Sequence, residues 1–103
     1  MSTDRYDGKP FLRLLDSYVL AAIGELPREQ HESLQDMEPK LRSVYGTEGD
    51  WRQIVATQMG FPDDLPATIK VIWDNGVAKI RASGMNPDPS EFIRHFVDTN
   101  FPH

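Results

Sequence analysis

The chain has 103 residues, with 16 acidic side chains, 11 basic ones and no cysteine. That length holds one domain and excludes a second independent core. A net charge of −5 repels phosphate backbones, and missing thiols exclude a disulfide framework, a thiolate zinc site and a cysteine nucleophile.

Residues 1–8 read as a flexible N-terminus without a hydrophobic signal core. Residues 9–103 read as a single helical domain. Its longest apolar-rich run, Phe11 to Ile23, contains Arg13 and Asp16 and is too short to span a bilayer. Together with the absence of cysteine, this points to a cytoplasmic protein with no membrane contact.

The first helix starts at Pro10, where a missing N–H costs nothing. Phe11, Leu14, Leu15, Tyr18 and Ala22 form its stripe, widened by Leu12, Val19 and Ile23. A helix apolar on so many sides belongs at the centre of a bundle. Gly24 is its natural stop. Pro27 opens a second segment, along which Leu34, Met37, Leu41, Val44 and Tyr45 keep helical spacing as far as Gly46. Pro39 removes a backbone donor inside it, which predicts a kink or two short helices, with the break near Met37-Glu38. Asp50 caps a third helix, and Gln53 stands where a capping box needs it. Trp51, Ile54, Val55 and Met59 form the inner face of this helix, and Gly60 ends it.

The next segment has two readings. Asn75-Gly76 between apolar runs is a strong hairpin signal, which would make residues 69–82 two paired strands and the fold α+β. The same residues also fit a helix, with Ile69, Ile72, Trp73, Val77 and Ile80 in one stripe. A hairpin would set Lys70 opposite Arg81, and a lone two-stranded hairpin is marginal in water. Nothing else in the chain alternates with period two, so the helix is the consistent choice. Asp63 or Asp64 would cap it. Asp88, Pro89 and Glu91 then announce a last helix, with a full capping box and with Phe92, Ile93, Phe96, Val97 and Phe101 on one face. The expected fold is all-α, a compact bundle of five or six short helices.

The segment from Asp63 through Trp73, followed by Asp88-Pro89 with Phe92 and by Phe96-Val97-Asp98 with Phe101, resembles small bacterial helical proteins of unassigned function. The resemblance covers only the C-terminal part of the chain. It supports the helical reading and implies no catalytic residue, cofactor or substrate.

Candidate chemistry is sparse. On a helix His95 has Glu91 and Asp98 on its own side, a weak polar site for base catalysis or a metal. The simpler reading is a solvated face. His31-Glu32 lacks the second histidine of a zinc-protease pattern, since Gln35 stands in its place, and reads as surface. Asp63, Asp64 and Asp88 read as caps rather than as a magnesium cluster. Gly46-Thr47-Glu48-Gly49 lacks the lysine of a phosphate loop, and no serine has a nucleophile-elbow context. No cofactor is expected.

The abundant aromatic residues exceed what one small core should absorb, so a second chain is expected to cover some of them. The expected function is a non-catalytic protein-interaction or assembly module, in contact with a protein partner or as a homodimer. Its surface would use Trp73, Phe96 and Phe101, and Phe101→Ala should weaken association more than folding. The alternative is a small ligand-binding domain or enzyme with an inter-helix pocket near His95. Nucleic-acid binding would need a basic face assembled from Lys40, Arg42, Arg52, Lys79 and Arg81, against the overall charge.

Overall fold

A computed structural model describes residues 10–101, and within them the chain is all-α. Its helices are α1 (Pro10–Ala22), α2 (Arg28–Tyr45), α3 (Trp51–Met59), α4 (Leu65–Ala82) and α5 (Pro89–Asn100). The expectation for residues 1–8 lies outside the described residues. None of the described helices is long and apolar enough to cross a membrane.

The central position predicted for α1 follows from its composition. Leu14, Leu15, Asp16, Ser17, Tyr18 and Val19 are buried in succession, more than a full turn of helix. That is possible only with neighbours on several sides, and α1 packs against α3, α4 and α5. Gly24 closes α1 at φ 76°, and the Glu25 N–H donates to the Leu20 carbonyl across the turn, as a left-handed C-terminal residue allows.

Pro39 does not divide α2, which runs unbroken over 18 residues. Pro39 and Gln35, the residue whose carbonyl loses its donor, are both exposed. Water can therefore replace the missing bond. The face of α2 is also narrower than its sequence stripe. Leu34 and Leu41 are buried, whereas Met37 and Val44 stand in solvent.

The join between α2 and α3 is tightly fastened. Asp50 accepts from the Gln53 N–H at 2.9 Å, and the Gln53 side chain accepts from the Asp50 N–H at 2.9 Å, a complete capping box. The Trp51 N–H donates to Glu38 Oε2 at 2.9 Å, so a further orphan donor of the first turn is satisfied from α2. Gly49 lies at φ 106°, and a Cβ there would strike the Gln53 side chain. Only glycine lets the box close.

The other caps depart from expectation. Asp64 precedes α4 but its side chain makes no capping bond. Its backbone, at φ −90° and ψ 3°, lacks the extended geometry from which a side chain reaches the first turn. A Leu65 N–H to Pro62 carbonyl bond sets the turn instead. At α5, Asp88 accepts from the Ser90 N–H at 2.9 Å, but Glu91 does not accept from the Asp88 N–H in return.

Asn75 and Gly76 lie inside α4, which settles the ambiguous segment as helix. Ile69 and Trp73 are its buried residues. Gly76 has no positive φ, and a Cβ added there meets nothing within 4 Å. Gly76→Ala should therefore stabilise the fold by about 0.4–1 kcal/mol, raising the midpoint of urea unfolding. A paired hairpin turn would give the opposite sign, because its central residues need φ > 0.

Candidate functional site

Several of the aromatic residues expected to be covered by a second chain pack on one another. Trp73 packs edge-on to Phe92 at 5.1 Å, Phe92 stacks on Phe96 at 5.7 Å, and Phe96 meets Phe101 at 5.5 Å. Phe101 touches Phe61 at 4.7 Å, and Phe61 touches Tyr18 at 5.2 Å. This line of rings ties α4, α5 and the α3–α4 loop to α1. Trp73 is 6 % exposed and Phe101 8 %, because both point into the line. Of the expected contact residues, only Phe96 keeps a partly open face.

Glu91, His95 and Asp98 are all exposed on α5. Among the described residues, no group of three or more His, Asp or Glu side chains is placed to hold a metal ion. His31, expected on the surface, is half-buried and stands edge-on to Trp51 at 6.4 Å.

A cavity lies elsewhere, between α1, α3 and the start of α4. Its volume is about 540 Å³, within the roughly 300–1,000 Å³ typical of small-molecule pockets. Small residues form the walls: Ala21 and Ala22 from α1, Ala56 from α3, and Pro62, Pro66 and Ala67 around the start of α4. Their size is what leaves the space open. Tyr18 lines this cavity although only 5 % of it is exposed.

Arg52, Lys70, Asp50 and Asp63 also line it. Asp50 is committed to the cap of α3, and Lys70 pairs with Asp74 at 3.0 Å. Arg52 has neither an ion pair nor a hydrogen bond among the described residues. Burial pushes the Tyr18 phenol above its usual value, while the positive charge of Arg52 draws it back in part. At neutral pH the hydroxyl is therefore a neutral donor.

Comparison with family models, curated proteins and solved structures gives no match. The chemistry must be read from this chain alone. This cavity, lined by Tyr18 and Arg52, does not include the expected site residue His95. Periodicity assigns Tyr18 to the core, and nothing local distinguishes it from its neighbours. Arg52 is one residue after a buried tryptophan, which hides its position at a cavity.

A second feature is the solvent side of α4. Thr68, Val71, Asn75, Ala78 and Ala82 follow one another at steps of three and four residues, and all are exposed. Val71 is 58 % exposed and its neighbour Ile72 43 %. A surface helix normally carries charge on this side. Here Asp74 and Lys79 only flank the strip. The signal was present in the sequence, opposite the stripe that contains Trp73.

Proposed function

We propose that the protein is a non-catalytic assembly module that pairs with a second copy of itself along α4. The observation that carries this reading is the uncharged outward seam. Its spacing matches a heptad in which Thr68, Asn75 and Ala82 take a positions and Val71 and Ala78 take d positions. Asn75 would face Asn75 of the partner subunit, the usual device for fixing a parallel pair in register at a cost in stability. In that arrangement Asp74, at g, lies beside Lys79 of the partner subunit, at e. The contact is repeated by symmetry, so the surface is complementary to itself.

Small side chains bring the two backbones close but supply little apolar area. A single helix-on-helix seam falls in the weak class of interfaces, below about 1,200 Å². Association is therefore concentration-dependent. A cytoplasmic setting is part of the same reading, supported by the cysteine-free sequence.

Sedimentation velocity over rising concentration tests the proposal. The expected result is a monomer–dimer equilibrium that Val71→Asp abolishes while the helical circular-dichroism signal is retained. Lys79→Asp should weaken the dimer, and adding Asp74→Lys should restore it. A wild-type protein that stays monomeric throughout, or a Val71→Asp variant that still associates, would overturn the proposal.

A further inference from the structure

We propose that the cavity between α1, α3 and the start of α4 binds a small carboxylic acid with an apolar body, its carboxylate held by Arg52 and by the Tyr18 hydroxyl. Tyr18 is nineteen-twentieths buried and lines the cavity together with Arg52, whose positive charge acts on its phenol. The space that these two side chains border is large enough to hold a ligand. Arg52 supplies the complementary charge, with a planar donor fork suited to a carboxylate. No carboxylate of the described protein occupies that fork.

The walls define the rest of the ligand. Alanine and proline side chains offer apolar surface with no donors or acceptors, so the body of the ligand must be apolar too. The charges around the cavity limit its head group. Arg52 and Lys70 are offset by Asp50 and Asp63, leaving no net charge to hold a dianion. A monocarboxylate matches a single free guanidinium. A phosphate ester would face two carboxylates while gaining only one uncommitted cation. This inference is independent of the α4 seam, because Tyr18 and Arg52 belong to α1 and α3.

Hexanoate and phenylacetate serve as probes, with hexanol, methyl phenylacetate and inorganic phosphate as controls, using the full-length protein. Binding is read from backbone and methyl chemical shifts during titration. Saturable shifts should centre on Ala21, Ala56 and Ala67 for the acids, with hexanol, the ester and phosphate at least about tenfold weaker. Arg52→Met keeps the aliphatic stem and removes the charge. It should weaken acid binding by about tenfold or more without changing the unfolding midpoint, since Arg52 is exposed. Tyr18→Phe keeps the packing on Phe61 and should weaken it by a smaller factor. No saturable shift with either acid at millimolar concentrations would overturn the proposal. So would phosphate or the ester binding as tightly as the acids, or an Arg52→Met variant that binds like wild type.

Discussion

Trp51→Ala should destabilise the protein by about 3–5 kcal/mol, whereas Trp51→Phe should leave stability within about 1 kcal/mol of wild type. The contrast follows from an indole that is needed for its bulk and not for its nitrogen. Trp51 is 1 % exposed at the start of α3, and its Nε1 has no hydrogen-bond partner among the described residues. Removing the whole side chain opens a large void beneath the α2–α3 join. Phenylalanine leaves a smaller void and also removes a buried unsatisfied N–H, whose desolvation costs roughly 1–3 kcal/mol. The two effects have opposite sign and similar size. The backbone N–H of residue 51 continues to donate to Glu38 in either variant. Chemical unfolding monitored by circular dichroism measures both. A Trp51→Phe variant as unstable as Trp51→Ala would mean that the indole nitrogen has a partner after all.

Phe101→Ala should cost about 3–5 kcal/mol of folding stability and leave dimerisation of the folded fraction unchanged. This reverses the expectation from sequence that Phe101 serves a contact surface. The residue sits just beyond α5, anchored by its N–H on the Val97 carbonyl at 2.9 Å, and its ring lies between Phe61 and Phe96. Alanine would break the line of rings at the point where α5 meets the α3–α4 loop. Each aromatic pair is worth roughly 0.5–1.5 kcal/mol beyond its buried area, and this substitution removes two of them. Denaturant midpoints report the loss in folding, and sedimentation of the folded variant reports association. Loss of dimerisation at full stability would restore Phe101 to an interface.

Most helix boundaries were legible because they are written in local chemistry. Pro10 and Pro89 open helices that their missing N–H groups do not harm, Gly24, Gly46 and Gly60 close others in the left-handed conformation, and Asp50 with Gln53 forms the box that its spacing announces. Even the ambiguous segment yielded to consistency with its neighbours. What stayed hidden depends on which element meets which. Periodicity places Trp73 and Phe96 on apolar faces without saying that other rings will cover them. The stripe drawn through Ile72 is correct in spacing, but the face of α4 that packs inward is rotated away from it, leaving Ile72 43 % exposed. Tyr18 and Arg52 are thirty-odd positions apart, and only the packing of α3 on α1 brings them to one cavity. The capping expectation at Asp64 failed for a related reason, since the preceding turn fixes a backbone conformation that residue type does not reveal.

The cysteine-free sequence allows a direct test of pairing along α4. A single Ala78→Cys variant places one thiol at a d position of the seam, and Val44→Cys, on the exposed side of α2, provides the control. Under mild oxidation Ala78→Cys should form a disulfide-linked dimer much faster than Val44→Cys, with its helical spectrum intact. Equal, slow cross-linking of the two variants would contradict assembly through α4.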